Sequence, residues 1–283
     1  MEISVALPVT ADGVPDDIAR EWARRAESAG FSALAVTNRL PVSEETRFSA
    51  LRAAAAETTK LGLLTATVLR TAREDPAAWA RSIGELQASA GGRLRVAIVL
   101  AEIGEDDFRI SGVDSFENRA IFELFIEAAQ REWSETGITA PPFFFSGLSD
   151  ATTQRVARWG TGWFSPTADG SARFKRNARL LDGDWEDHRR TGRPHLVGVL
   201  RTALGADAES LAAAYDERYA AAHGGSARGN GTPATTPEAV AATLDEFAAQ
   251  GANEVVIEPA STDLAQIDAL VEAVGPRLAA ARA

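Results

Sequence analysis

Short apolar segments alternate with amphipathic ones along almost the whole chain, and this alternation constrains the fold more than any other feature. Most of the apolar segments lack a polar–apolar alternation, which is typical of parallel strands buried on both faces. A closed (β/α)₈ barrel and a doubly wound sheet both fit such a pattern, and a count of eight strands favours the barrel. The eight segments are Ile3 to Leu7, Ala33 to Thr37, Leu61 to Leu69, Leu94 to Leu100, Phe143 to Ser146, Gly162 to Phe164, Leu196 to Thr202 and Glu254 to Glu258.

The intervening segments carry helix start and stop signals. The segment from Pro15 to Ala29 opens with proline and two aspartates and stops at Gly30, which predicts a helix with a glycine end. Residues 223–235 are rich in glycine and polar residues, which predicts a mobile loop inside the domain. The 283 residues suit one barrel, so a single domain is expected over residues 1–283.

Composition narrows the possible functions. The chain contains no cysteine, which excludes disulfides, thiolate metal sites and cysteine nucleophiles. Its net charge of −11 predicts no nucleic-acid or membrane partner, although backbone N–H groups can still hold a small anion. The N-terminal residues lack the features of a signal peptide, and no apolar stretch is long enough to span a membrane, so a cytoplasmic location is expected.

Several stretches, in order along nearly the whole chain, carry a family resemblance. They are Ala29 to Thr37, Gly91 to Leu94, Pro142 to Ser149, Trp159 to Phe164, Thr236 to Val240 and Gly251 to Ile257. Together they resemble the luciferase-like flavin- or deazaflavin-dependent oxidoreductases and monooxygenases. The resemblance implies a TIM barrel that binds FMN or coenzyme F420 at its C-terminal face, acts on a small organic substrate and forms a homodimer.

The resemblance assigns roles to residues at the end of the second strand. Thr37 and Arg39 are expected to contact the cofactor, and Asn38 to hydrogen-bond the cofactor edge or the substrate. Family members often carry an acidic residue and a histidine after the threonine, whereas this chain has asparagine and arginine. Asn38 therefore cannot act as a base, and a solvated loop is the alternative interpretation.

The third and fourth strands add further expectations. If the cofactor site is retained, the resemblance places a non-prolyl cis peptide between Ala66 and Thr67, against the cofactor; an ordinary trans strand is the alternative. The fourth strand lacks the family's glycines, so Ala97 and Val99 are expected to narrow this side of the site. Glu102 matches an acidic residue that acts as an acid in some deazaflavin-dependent members, and a solvated acidic loop is the alternative.

The turn Ser146-Gly147-Leu148-Ser149 joins the fifth strand to a helix and predicts a phosphate site. Gly147 permits a tight turn, Ser149 is a favourable N-cap residue, and the first N–H groups of the helix attract an anion. The alternative is a capped helix without a ligand. No metal site is expected, because the three histidines share no ligand spacing: His188, His195 and His223.

Three functions remain open at this stage. The first is an oxidoreductase or monooxygenase that uses FMN or F420. The second is a degenerate barrel that has lost the cofactor and serves as a non-catalytic subunit or binding protein; the missing glycines and a shortened segment before the fifth strand point this way. The third is an unrelated barrel enzyme that acts on a phosphorylated metabolite.

Overall fold

Eight parallel strands close into a barrel, in which each strand pairs with its sequence neighbours and β8 pairs with β1. The computed structural model describes residues 1–10, 13–37, 39–40, 42–69, 74–100, 115–166, 168, 171–226 and 229–282. The expected (β/α)₈ barrel is therefore confirmed, and the doubly wound alternative is wrong. The strands are β1 (Glu2–Ala6), β2 (Ala33–Val36), β3 (Gly62–Leu69), β4 (Leu94–Leu100), β5 (Phe143–Ser146), β6 (Gly162–Phe164), β7 (His195–Thr202) and β8 (Glu254–Pro259).

Helices follow the strands in the described part of the chain. They are α1 (Asp16–Ala29), α2 (Glu44–Glu57), α3 (Pro76–Ser89), α4 (Ser115–Thr136), α5 (Asp150–Trp159), α6 (Ser171–Asp187), α7 (Ala208–Ala222), α8 (Pro237–Ala249) and α9 (Leu264–Arg282). Only residues 137–142 separate α4 from β5, as the shortened segment in the sequence predicts. None of the helices that the structure describes has both the length and the apolar character that a membrane crossing requires.

The barrel has two apolar layers because successive residues of a strand face opposite sides. Outward residues such as Val5, Ile98 and Ile257 pack against the surrounding helices in the larger core. That core also contains Trp22 and Trp133, whose indole N–H groups donate to the carbonyl oxygens of Thr262 and Ala80 at 2.8 and 2.7 Å. Burial of the large apolar rings therefore leaves neither indole without a partner.

Two helix boundaries follow the predicted chemistry. Gly30 ends α1 in the left-handed conformation at φ 94°, and its N–H bonds the carbonyls of Ala26 and Glu27. At the start of α8, the hydroxyl of Thr236 accepts a hydrogen bond from the backbone N–H of Ala239.

Candidate active site

Inward-facing side chains divide the barrel interior into layers along its axis. The middle layer consists of buried apolar side chains, as in the packed interior typical of this fold. Its residues are Ala6, Ala35, Leu64, Ala66, Ala97, Phe144, Phe164, Val197, Val199 and Val256. A ligand therefore reaches the barrel from one end, and in this fold that end is the mouth formed by the C-terminal ends of the strands.

The opposite end of the barrel is closed by a charged cluster around Glu254, which is fully buried. Both guanidinium nitrogens of Arg95 donate to its carboxylate, Ser4 donates to one oxygen, and the ring of His195 lies 3.1 Å from the other. Burial raises the pKa of Glu254, but the hydrogen bonds from His195 and Arg95 outweigh it and lower this pKa to about 2. The cluster is a structural closure of the barrel.

Glu254 also belongs to a group with metal-ligand spacing, together with Glu2 and His195, whose ligand atoms lie within 4.8 Å of one another. Both oxygens of Glu254 are already bonded to Arg95, and one also to Ser4. A metal ion would have to displace a guanidinium cation from this carboxylate. We therefore assign no metal to this group.

At the mouth, Arg39 extends from the end of β2 across the strand ends. Its Nε lies 2.9 Å from Oε2 of Glu258, and its terminal nitrogens donate to the carbonyls of Pro166, Gly229 and Asn230 at 3.4, 3.0 and 3.3 Å. The side chain is 9% exposed. Arg39 is thus bonded to protein groups from three sides of the mouth, and its expected contact with a cofactor stays a prediction.

A second buried arginine holds the loop that the sequence predicts to be mobile. Arg201 lies 2.8 Å from Asp216 and donates to the carbonyls of Asn230 and Gly231. The amide of Asn230 donates to Asp216 at 2.7 Å, and Asn230 is only 2% exposed. Residues 229–231 of this loop are therefore hydrogen-bonded to arginine and aspartate side chains at the mouth, and the mobility of the loop stays a prediction.

Glu258 ends the inward row of β8 and is 4% exposed. Although Arg39 neutralises its charge, neither carboxylate oxygen accepts a hydrogen bond within the described structure, because the Nε–H of Arg39 is not directed at it. Beside it, burial and the charge of Glu258 raise the pKa of Tyr215 to about 12. Both side chains line a small cavity that also touches Thr37.

Glu258 and Arg201 are functional candidates that the sequence expectations missed. Each is a charged residue in the inward row of a strand whose other inward residues include valines. A charge at such a position must be paired inside the barrel or face its mouth. The sequence contains this signal, because Glu258 is the fifth residue of the apolar segment that begins at Glu254 and Arg201 is the sixth residue of the one that begins at Leu196.

On the far side of the mouth, Ser146 ends β5 with its side chain pointing inward. It is 6% exposed, and its hydroxyl has no hydrogen-bond partner among the described residues. The next residue, Gly147, has φ +150°, and its carbonyl accepts hydrogen bonds from Trp163 and Asn177 at 2.9 and 3.4 Å. A Cβ atom at Gly147 would lie 2.5 Å from the Thr152 hydroxyl oxygen.

The rest of this turn differs in one respect from the sequence expectation. Ser149 occupies the N-cap position of α5, but its hydroxyl lies 3.1 Å from the hydroxyl of Thr152 and caps no backbone N–H. Leu148 packs against the outer core. The N–H of Thr152 donates to the carbonyl of Ser149 at 2.8 Å, whereas the N–H groups of Asp150 and Ala151 lack the side-chain cap expected from Ser149 and could meet an anion.

The third and fourth strands place their predicted residues differently. Ala66 faces the barrel interior, whereas Thr67 points outward and accepts a hydrogen bond from Arg47 at 3.3 Å. The peptide bond between Ala66 and Thr67 is trans, so the expected cis bond is wrong. Ala97 packs in the apolar interior, where it fills space that a glycine would leave open.

Two predicted catalytic residues, Asn38 and Glu102, lie outside the described residues. Thr37 is described and half-buried, and it lines the small cavity beside Glu258. The structure thus brings Thr37, Arg39 and Glu258 together on one side of the mouth. It places Ser146, Gly147 and Ser149 on the other side, since β5 stands four strands from β1 in the ring.

Residues 1–275 match the family described as luciferase-like monooxygenase. This match agrees with the barrel order, the mouth and the turn after β5. The chain belongs to this family. No curated protein matches the chain significantly in sequence.

Solved structures of similar fold include two F420-dependent enzymes and a monooxygenase. An F420-dependent secondary alcohol dehydrogenase superposes with a TM-score of 0.77 at 16% identity, covering 98% of each chain. A monooxygenase from Streptomyces bottropensis gives 0.75 at 18% identity, covering 98% of this chain and 99% of that one. The F420-dependent tetrahydromethanopterin reductase from Methanopyrus kandleri gives 0.67 at 14%, with 97% and 98% covered. At these identities the likeness shows the fold.

Proposed function

We propose that this luciferase-like protein is an oxidoreductase or monooxygenase that binds FMN or F420 at the barrel mouth and acts on a small organic substrate. The observation that carries the proposal is the turn after β5, where the buried Ser146 hydroxyl has no partner and the adjoining N–H groups of α5 have no cap from Ser149. Both features suit a phosphate, which accepts hydrogen bonds from hydroxyl and amide donors.

The chemistry divides between the cofactor and the chain. A bound flavin or deazaflavin supplies the redox reaction. Ser146, Gly147, Leu148 and Ser149 would hold its phosphate, and Thr37 and Ala66 would line the space nearer the barrel axis. Asn38 is proposed to hydrogen-bond the cofactor or substrate and Glu102 to act as an acid.

One observation favours a second candidate, a barrel without a redox cofactor. The side chain of Arg39 crosses the mouth and is bonded to Glu258, Pro166 and Gly229. A ring system lying across the mouth would require this side chain and the loop at Gly229 to move. A protein that never binds a cofactor would keep the arrangement as it is.

A fluorescence titration separates the two candidates. FMN and F420 are added separately to the native protein and to the Gly147→Val variant. We expect one cofactor to bind the native protein and the variant to bind it at least about tenfold more weakly, the loss of roughly one charge-assisted hydrogen bond. The reason is that a side chain at Gly147 collides with Thr152 and resists its positive φ.

The matched control is Gly137→Val. Gly137 also has a positive φ, of 70°, but no atom lies within 4 Å of its added Cβ, and it precedes β5 at the closed end of the barrel. This variant should keep the cofactor affinity of the native protein. Equal binding by native protein and Gly147→Val would mean that the phosphate lies elsewhere, and no binding at millimolar cofactor would leave the barrel without a redox cofactor.

A homodimer and a cytoplasmic location belong to the same proposal: the family resemblance supports the first, and the second is the location expected from the sequence analysis. Light scattering of the purified protein tests the first, and fractionation of the source cells tests the second.

A further inference from the structure

The unsatisfied carboxylate of Glu258 stands in contrast to Glu254, four residues earlier in the same inward row. Glu254 is surrounded by donors from Ser4, Arg95 and His195. Glu258 is 4% exposed, yet among the described residues only Arg39 forms an ion pair with it, and neither of its oxygens accepts a hydrogen bond. Leaving a buried carboxylate without hydrogen-bond donors is costly, so this position is suited to receive a donor from a ligand.

The cavity beside Glu258 limits what that ligand group can be. It offers about 20 Å³ to the centres of water-sized molecules, enough for one small polar group. Its polar lining consists of Glu258, Tyr215 and Thr37, and its apolar lining includes Ala6, Val9 and Leu40. A single polar atom attached to a hydrocarbon body matches this lining.

Tyr215 supplies the complementary donor. Tyr215 is 5% exposed and lines the same cavity as Glu258. A phenol hydroxyl can both donate and accept, so its O–H can donate to a group in that cavity. Burial and the charge of Glu258 raise the pKa of Tyr215 to about 12, so the phenol stays protonated at neutral pH.

We propose that Glu258 and Tyr215 form a subsite for the hydroxyl group of an alcohol substrate, a proposal that rests on the oxidoreductase function proposed above. A hydroxyl donates to Glu258 and accepts from Tyr215 at once, whereas a carbonyl only accepts and an ammonium group only donates. An ammonium group would also face the positive charge of Arg39, 2.9 Å from Glu258. The subsite therefore selects alcohols over amines and carbonyl compounds.

The test measures binding directly on the full-length protein without cofactor. Ethanol, ethylammonium and acetonitrile, which have similar sizes, are titrated while methyl resonances of Val9 and Leu40 are followed by NMR. We expect saturable shifts with ethanol, and binding of the other two weaker by at least about tenfold, because each lacks one of the two hydrogen bonds.

Variants assign the binding to the two side chains. Glu258→Gln and Tyr215→Phe should each weaken ethanol binding at least about tenfold. Tyr215→Phe retains the ion pair between Arg39 and Glu258, so it tests the subsite even when Glu258→Gln fails to fold. Glu254→Gln, the same substitution in the same strand at the closed end, should leave ethanol binding unchanged.

Three results would overturn the subsite. The first is the absence of an ethanol-induced shift at the highest concentration that leaves the protein folded, which means that the cavity holds water only. The second is ethylammonium binding as tightly as ethanol. The third is unchanged ethanol binding in Tyr215→Phe. The FMN and F420 titrations are independent of these ethanol and ethylammonium experiments. A cofactor that binds while ethanol does not leaves the proposed function standing and removes only the alcohol subsite.

Discussion

At the residue scale, buried carboxylates decide the character of the two barrel ends. Glu254 is satisfied by protein donors and closes the barrel, whereas Glu258 has a charge partner without hydrogen-bond donors and faces the mouth. Glutamate therefore stabilises the fold at one end and belongs to the proposed subsite at the other. The difference arises because the neighbouring strands supply hydrogen-bond donors to Glu254 and not to Glu258.

Glu254 gives the folded protein a specific dependence on acid. Its pKa falls from the usual 4.5 to about 2 on folding, so its contribution to stability is present above pH 4.5 and is lost as the pH falls toward 2. The full contribution is about 3 kcal/mol. Urea unfolding of native protein and Glu254→Gln at pH 7 and pH 3 should therefore show a smaller loss of stability in the variant.

The control for this experiment is Asp245→Asn. Asp245 also has a lowered pKa, because Arg277 hydrogen-bonds it, but the pair lies on the surface. Solvent screens such pairs, so this variant should follow the pH dependence of the native protein closely. A Glu254→Gln variant that loses as much stability in acid as the native protein would show that other groups carry the effect.

Part of the candidate site was predictable from single residues. The turn at Ser146 and Gly147 was found because glycine and serine between a strand and a helix have defined conformational roles. The ion pair of Arg39 was not predictable, because the sequence does not show that Glu258, more than two hundred residues away, lies beside it. Contacts across the mouth depend on barrel closure, which local patterns do not encode.

At the element scale, strand positions were predictable because strands buried on both faces produce unbroken apolar runs. The shortest strand, β6, depends on a glycine for another reason. A Cβ atom at Gly162 would lie 1.9 Å from the carbonyl oxygen of His195 on the neighbouring strand β7. Because the two backbones approach this closely, the first residue of β6 has to be glycine. Only two of the three residues of this strand are therefore apolar side chains that a sequence pattern can detect.

Replacing this glycine should therefore damage the barrel. Gly162→Ala is expected to lose at least roughly 2 kcal/mol of stability, since both strands must separate to admit the methyl group. Gly183→Ala is the matched control, because Gly183 lies in α6 with no atom within 4 Å of the added Cβ. That variant should gain about 0.5–1 kcal/mol from better helix propensity. Urea unfolding of both variants checks the difference, and equal stabilities would refute the role of Gly162.

At the scale of the whole molecule, the mouth is held together by ion pairs between segments far apart in sequence. Arg39 connects β2 to β8 and to the loop at Gly229, and Arg201 connects β7 to the same loop through Asp216. These bonds join the described part of the loop to two strands at the mouth. A ligand that displaced Arg39 or Arg201 would therefore have to rearrange this network.

A double-mutant cycle measures how strongly the network is coupled. Arg39→Met should cost about 3–5 kcal/mol, because it leaves Glu258 buried without a counter-charge. Adding Glu258→Gln should recover more than about 1 kcal/mol of that loss. The exposed pair of Arg277 and Asp245 provides the comparison and should couple far more weakly. Additive effects of Arg39→Met and Glu258→Gln would show that the two side chains act independently.

The hydrogen bond from the Trp163 indole to the carbonyl of Gly147, 2.9 Å long, gives the turn after β5 an intrinsic optical reporter. Trp163 is 1% exposed, so its emission is set by fixed dipoles in its surroundings more than by bulk water. An anion arriving at the neighbouring amides would change the local field at the indole directly. Because five other tryptophans also emit, the difference in emission between the native protein and Trp163→Phe offers a label-free signal of occupancy at this turn, separable from any change in the colour of an added cofactor.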